Sequence, residues 1–257
     1  WDFSNVSMVY QRGFSVEHLK PYEDDALNRF FKDETLAFIN GLLFAADIPW
    51  FNHPFAVEHA AHKLHQLIKA QNLGFEIPET CVSNNAHEVR EFAQRHRTII
   101  QKVLNRARLR DDKSTATLSF TRMLSPNDLV GEARIAVLPS IYQPYIQKKQ
   151  EVRVTVVGNS VVAVAIGSPD EEKRVDWRKG DLTNVPHSIH ILPPSIEKMC
   201  IQLVSDFGLR YGAIDMVITP DDQYVFLELN PEGLWGWLEI LSEAKITNLI
   251  VDELLKA

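Results

Sequence analysis

The sequence predicts an α+β fold on two observations: β-rich runs that come in adjacent pairs around turn residues, and helical stretches set between those pairs. Paired runs joined by a short turn form antiparallel hairpins, whereas a doubly wound parallel sheet would alternate single strands with helices. The 257 residues, 45% of them hydrophobic, suffice for one large domain with a smaller companion.

The elements follow in order. Up to about Phe51 the pattern gives a short strand, Val6 to Tyr10, and a helix from about Asp24 to Ala46 with Ala26, Phe30, Phe31, Leu36, Phe38, Ile39, Leu42 and Leu43 at helical spacing. Phe55 to Leu73 reads as one helix with Ala56, Ala60, Leu64, Leu67 and Ile68 on its stripe and Gly74 as a C-terminal cap. A short strand follows Ile77-Pro78-Glu79-Thr80, then a helix over Ala86 to Arg95. Arg97 to Leu104 and Thr115 to Met123 are strand candidates. Val152 to Val157 and Val161 to Ile166 form a hairpin around Gly158-Asn159-Ser160, where Gly and Asn tolerate positive φ. A helix with Ser195 as N-cap buries Ile196, Met199, Cys200, Leu203, Val204 and Phe207 and ends at Gly208. Ala213 to Ile218 and Tyr224 to Leu229 make a second hairpin around Pro220-Asp221-Asp222, and one or two amphipathic helices over Leu238 to Leu255 close the chain. No repeat or low-complexity segment appears.

Composition excludes several functions. With 27 Lys+Arg against 34 Asp+Glu, a net charge of -7 and a pI of about 5.7, no global basic field draws in nucleic acid or an anionic membrane, so an anionic ligand needs a local site. Apolar stretches such as Phe38 to Ala46 fall short of the ~20 residues that span a bilayer, and no signal peptide opens the chain. Cys81 and Cys200 form no CxxC pair, which fits a reduced, cytoplasmic compartment. The first residue is Trp1 rather than Met, so further residues are expected before it.

The chemistry concentrates at Tyr211 to Asp215 and Phe226 to Pro231. Asp215, Glu228 and Asn230 interrupt strongly apolar strands, and carboxylates there are costly to bury without a compensating charge. Glu228 and Asn230 are two apart and share one face, with Asp215 across the ladder if the strands pair; hard oxygen ligands of this kind suit Mg²⁺. By pattern alone the same residues serve equally as the solvent face of a half-exposed hairpin. His59, His62 and His65 recur on one helix but lack a carboxylate or cysteine cluster, so a solvated face is the expectation there.

The segment resembles the C-terminal signature of the ATP-grasp superfamily. Asp215 and Glu228 lie 13 apart and lead into a Glu-x-Asn triplet, as in D-alanine D-alanine ligase and its relatives. More closely, Phe-Leu-Glu-Leu-Asn-Pro-Glu-Gly-Leu-Trp-Gly-Trp-Leu-Glu, residues 226 to 239, is similar to the ATP-grasp peptide ligases of microviridin and graspetide biosynthesis, which close side-chain lactones and lactams in ribosomally made precursor peptides. The resemblance runs from about Trp50 to the C-terminus. It implies an ATP-grasp fold, two α+β subdomains gripping ATP, with a partial N-terminal pre-ATP-grasp region over 1–51, a helical and central subdomain over 52–142, and a C-terminal subdomain with the metal site over 143–257.

It also implies roles. Asp215, Glu228 and Asn230 would bind Mg²⁺, as two ions. In Tyr142-Gln-Pro-Tyr-Ile, backbone around Tyr145 and Ile146 would hold adenine with a side-chain contact from Gln143, and Glu151 would hold the ribose hydroxyls. Lys102 and Lys63 resemble the lysines that touch the nucleotide phosphates. Val175-Asp176-Trp177-Arg178 resembles a segment of the macrocycle-forming ligases, in which Arg178 with Arg153 would steady the acyl phosphate or the transferred phosphoryl group and Asp176 would orient or deprotonate the acceptor. One departure is that Asn105 to Ser119, where the superfamily has a small glycine-containing loop over the phosphates, contains no glycine.

The implied enzyme is thus an ATP-dependent carboxylate ligase. Its partner would be a precursor peptide with a leader and a Thr, Ser or Lys plus Asp or Glu core, and a homodimer is compatible. A ligase that adds an amino acid to a peptide or protein terminus, and a non-catalytic ATP-binding module, are the alternatives. The intact Asp, Glu, Asn set argues against the latter.

Overall fold

The computed structural model describes residues 4–11, 16, 19–45, 48–104, 108–110, 116–118, 121–129, 135–167 and 185–256. The chain opens with β1 (Val9–Tyr10) and α1 (Asp25–Ala45). It continues through β2 (Trp50–Phe51), α2 (Pro54–Ala60), α3 (Lys63–Asn72), β3 (Cys81–Ser83) and α4 (Ala86–Arg95). Then come β4 (Ile99–Lys102), β5 (Arg108–Arg110), β6 (Ala116–Leu118), β7 (Arg122–Leu124), a 3-10 turn (Pro126–Leu129) and β8 (Ser140–Pro144). The C-terminal part holds β9 (Gln150–Val157), β10 (Ser160–Ile166), β11 (His187–His190), α5 (Pro194–Asp206), β12 (Tyr211–Ile218), β13 (Tyr224–Asn230), α6 (Gly236–Ser242) and α7 (Ile246–Leu254).

Two sheets organise the fold. The larger runs β11-β10-β9-β12-β13 with antiparallel neighbours, and the smaller runs β3-β8-β4-β7, also antiparallel. The expected hairpins are the heart of the larger sheet, and Gly158 at φ 55 makes the β9–β10 turn. One face of this sheet buries Val152, Val154, Val156, Ile214, Met216, Ile218, Phe226 and Leu229 against α2, α3 and α5. The opposite face is split. Its Val157, Val164 and Tyr211 end is covered by Leu238, Ile246 and Ile250 of the last two helices. The remainder carries polar side chains, among them Glu151, Arg153 and Asp215, on strands whose other side is largely apolar, as period-2 alternation allows.

Several expectations shift. The single helix over Phe55 to Leu73 is two, broken at Ala61-His62. The break changes the phase: α3 buries Gln66, Leu67 and Ala70 and leaves Leu64 38% and Ile68 58% exposed, so the stripe through those two does not face the core. Thr115 to Met123 holds two strands; β6 pairs with β5 in a separate two-stranded hairpin and β7 joins β4. β11 and β8 add strands at positions where none was expected. Ser195 lies inside α5 rather than capping it, because Pro194 starts the helix with a fixed φ and no N–H to satisfy. In α1 only Asn28 is buried, so its apolar positions are mostly surface.

Candidate active site

Strand register builds the site. On β9, Glu151, Arg153 and Thr155 alternate with the core valines and point to the polar face. Arg153 stands opposite Asp215 on β12, and Asp215 opposite Glu228 on β13, which sets the three charges in a row across three strands. The pairing slips between Asp215–Glu228 and Met216–Phe226, a β-bulge that accommodates Leu227 and re-aims Glu228 and Asn230.

The row is closely bonded. Arg153 Nη1 donates to both carboxylate oxygens of Asp215, at 2.7 and 2.8 Å. Asn230 Nδ2 lies 3.0 Å from Asp215 Oδ2 and 3.3 Å from Glu228 Oε1. From α3, Lys63 Nζ reaches to 3.4 Å from Glu228 Oε2, so the lysine expected at phosphates joins the carboxylate cluster. Burial works against the charged guanidinium of Arg153, yet the charge and hydrogen bonds of Asp215, with smaller help from Tyr211 and Glu228, raise its pKa above the ordinary value. Arg153 Nε is buried with no partner among the described residues.

The donor set fits a hard divalent cation. Two carboxylates and one side-chain amide converge, and a half-turn of the Asn230 amide exchanges Nδ2 for Oδ1, an acceptor. Among the described residues no group of three or more His, Cys, Asp or Glu gathers for a metal. A cation at Asp215, Glu228 and Asn230 would therefore take its other oxygens from a ligand such as phosphate, the arrangement Mg²⁺ favours.

Beyond Asn230 the chain is shaped around the guanidinium. A Cβ on Gly233 would lie 2.5 Å from Arg153 Nη2 and 2.6 Å from Ala213 Cβ, and Tyr211 Oη donates to Gly233 O at 2.5 Å. Sequence patterns gave no hint of Gly233, since only the side-chain-free approach distinguishes it. Beside this loop opens a cleft of about 280 Å³ lined in part by Asn52, Glu58, Pro231 and Glu232.

The remaining candidates sit in the smaller sheet and in the link to β9. Lys102 ends β4, half-buried and opposite Ile141 of β8. Gln143 is 2% exposed and its Nε2 bonds Thr80 Oγ1 at 3.0 Å, while its Oε1 has no partner among the described residues. The Tyr145 N–H is committed to Thr98 O at 2.9 Å, and Ile146 follows it half-buried. Glu151 pairs with Lys148, a cation the sequence reading passed over. Asp176 and Arg178 lie outside the described residues. His59 and His65 lie 4.4 Å apart between ring centroids with their planes tilted by 59°, and both meet Phe207 edge-on.

The family described as RimK-like ATP-grasp domain matches residues 125–252. No curated protein matches the chain. Among solved structures, macrocyclase MdnC bound with precursor peptide MdnA from Microcystis aeruginosa MRC is 32% identical with a TM-score of 0.86, covering 98% of this chain and 79% of its own. A RiPP-associated ATP-grasp ligase of Chryseobacterium gregarium, in complex with ADP and a leader and core peptide, is 30% identical with a TM-score of 0.86 over 97% of this chain and 76% of its own. ATP-grasp ligase PsnB, complexed with minimal precursor, Mg and ADP, shares the fold at 21% identity and a TM-score of 0.77, over 97% of this chain and 77% of its own.

Proposed function

The chain belongs to the ATP-grasp ligases, ATP-dependent enzymes, and from that premise we propose that it activates Asp or Glu side chains of a ribosomally made precursor peptide as acyl phosphates and closes ester or amide cross-links within that peptide. The observation that carries the reading is the row Arg153, Asp215, Glu228 with Asn230 and Lys63, set in a chain that aligns over 98% of its length with a macrocyclase holding its precursor.

Condensing a carboxylate with an alcohol in water is uphill and slow, and a mixed anhydride with phosphate is already activated. A carboxylate oxygen of the peptide attacks the γ-phosphorus of ATP and ADP leaves; a Thr or Ser hydroxyl or a Lys amine then attacks the acyl carbon, and phosphate leaves with the bonding pair. Asp215, Glu228 and Asn230 would hold Mg²⁺, in our reading two ions, which neutralises charge on the β and γ phosphates. Arg153 keeps Asp215 oriented and, with Arg178, presents N–H donors to the transferring phosphoryl oxygens. Lys102 and Lys63 bind phosphates. The adenine edge rests on the link after β8, at Ile146 and the Tyr145 carbonyl, because the Tyr145 N–H is taken; Glu151, steadied by Lys148, faces the ribose. Gln143, held through Nε2 by Thr80, adds a side-chain contact to the nucleotide, and Asp176 orients or deprotonates the acceptor. Since β8 runs to Pro144, the boundary expected between 142 and 143 is better placed in the link 145–149, with 1–51 and 52–144 before it. No helix among the described residues is long and apolar enough to cross a membrane, and we assign the activity to the cytoplasm.

The test incubates the protein with ATP, Mg²⁺ and peptides bearing Thr, Ser or Lys beside Asp or Glu, and measures ADP and peptide mass together. Each ring lowers the mass by ~18 Da, one water per closure. A mass gain of one residue per turnover would instead identify an amino-acid ligase, and no ADP with any peptide would defeat the catalytic reading.

A further inference from the structure

We infer that Gln66 and Asn52 are positioning residues of the cation site: two buried amides from the N-terminal half grip the backbone on either side of Asn230 and fix the register of Glu228 and Asn230. The inference rests on the reading of those two residues as cation ligands.

β13 is the outer strand of its sheet, and Leu229 turns its backbone N–H and C=O away from β12. Both groups are met by one side chain. Leu229 N donates to Gln66 Oε1 at 2.9 Å, and Gln66 Nε2 donates to Leu229 O at 2.7 Å and to Ala60 O at 2.6 Å. The amide thus imitates a neighbouring strand at one residue, and that residue is the one between Glu228 and Asn230. On the far side, Asn52 Nδ2 donates to Pro231 O at 3.1 Å and to Tyr211 O at 2.8 Å, while its Oδ1 accepts from Arg210 N at 2.7 Å and Tyr211 N at 2.9 Å. Gln66 is 2% and Asn52 7% exposed.

The grip matters because the ladder is weakest here. The bulge at Leu227 breaks the pairing with β12 immediately before Glu228, and the strand ends at Asn230. Across such an interruption β12 alone does not fix the strand's rotation about its own axis. A ligand set for Mg²⁺ tolerates displacements of only about 0.5 Å or 10–20°. Gln66 at Leu229 and Asn52 at Pro231 supply the two missing points of attachment. Gln66 also shares α3 with Lys63, one turn earlier, so the same helix delivers the clamp and the cation that meets Glu228.

The experiment uses the full chain with Gln66→Met, which keeps length and bulk but neither hydrogen-bonding role, and Asn52→Asp, which keeps the two accepted bonds and loses those donated to Tyr211 and Pro231. Mn²⁺ binding is titrated by electron paramagnetic resonance with a non-hydrolysable ATP analogue, and amide hydrogen exchange is followed over the whole chain. We expect the Mn²⁺ dissociation constant to rise about tenfold in each variant, at the lower end of what displaced supporting groups cost a metal site. Faster exchange should be confined in Gln66→Met to the Leu229 region, and excess Mg²⁺ should restore ADP release in both variants but not in Glu228→Gln. If Gln66→Met does not fold, Asn52→Asp carries the test alone. Mn²⁺ affinity within twofold of wild type, with exchange at Leu229 accelerated, would make the amides mere backbone partners and overturn the inference while leaving the cation site standing. Absence of Mn²⁺ binding in the wild-type protein would overturn both.

Discussion

Replacing Arg153 by Met tests the electrostatic logic of the site most directly. Met keeps an unbranched stem where the arginine stem packs and removes only the charge and its donors. What is left is Asp215 at 9% exposure, beside the Asn230 amide at 3.0 Å and with Lys63 committed to Glu228. Breaking a buried ion pair in this one-sided way costs about 3–5 kcal/mol, because the surviving charge stays desolvated. For a chain of this size each kcal/mol moves the melting temperature by about 2–4 °C, so the variant should melt roughly 6–20 °C below wild type in EDTA. Removing the second charge should reverse most of the loss: Arg153→Met with Asp215→Leu is expected to be more stable than Arg153→Met alone. Saturating Mg²⁺ should also recover part of the deficit in the single variant, by about 2.7 kcal/mol at one hundred times the dissociation constant. The assay is thermal unfolding by circular dichroism with and without Mg²⁺. A single variant melting within 2 °C of wild type, or a double variant no more stable than the single, would show that Asp215 is not a buried charge dependent on Arg153.

Three further outcomes follow from the same structure. Gly233→Ala should lower stability by about 1–3 kcal/mol and depress ADP release, because its Cβ meets Arg153 Nη2 at 2.5 Å and the short side chain of Ala213 at 2.6 Å, and Ala213 has no rotamer by which to yield; urea titration beside the ADP assay checks it. Burial holds the imidazoles of His187 and His190 below their ordinary value of 6.5, so the unfolded chain binds protons that the fold refuses. Stability present above pH 6.5 should therefore decline as the pH falls below it, and the double change of both histidines to Gln should flatten melting curves over that window. Burial pushes the Cys200 thiol up to about 12, so the folded protein should titrate with a thiol reagent at pH 8 only through Cys81, slowly, and release the Cys200 equivalent on denaturation.

How far the sequence could be read depended on how many periods each element offered. β9, β10 and β12 run seven or eight residues, and alternation over that length identifies them and places Arg153 opposite the core valines. β5, β6, β7 and β11 have three or four residues, too few to separate a strand from a loop, and β8 looked like a linker because its apolar signal, Ile141 and Tyr142, is only two residues long. The break at Ala61-His62 carries neither Gly nor Pro, so the helix phase of α3 ran on unchecked and pointed Leu64 rather than Gln66 at the core.

The same limit explains which half of the site was visible. Asp215, Glu228 and Asn230 announce themselves because charged or amide side chains inside apolar strands need a compensating partner, and that need is a statement about residue type. The partner could be inferred only as a class; that Arg153 supplies part of it depended on the β9–β12 register, which no local pattern sets. Gln66 and Asn52 leave still less trace. Their hydrogen bonds go mostly to the backbone of Leu229, Pro231, Arg210 and Tyr211, and backbone groups are the same at every residue. A motif in the C-terminal half therefore reads as self-sufficient, although its strand end is tied from a helix and a loop some 160 residues earlier. Changing those ties should alter cation affinity with every ligand in place, and that is the behaviour a motif search on the ligands alone would not anticipate.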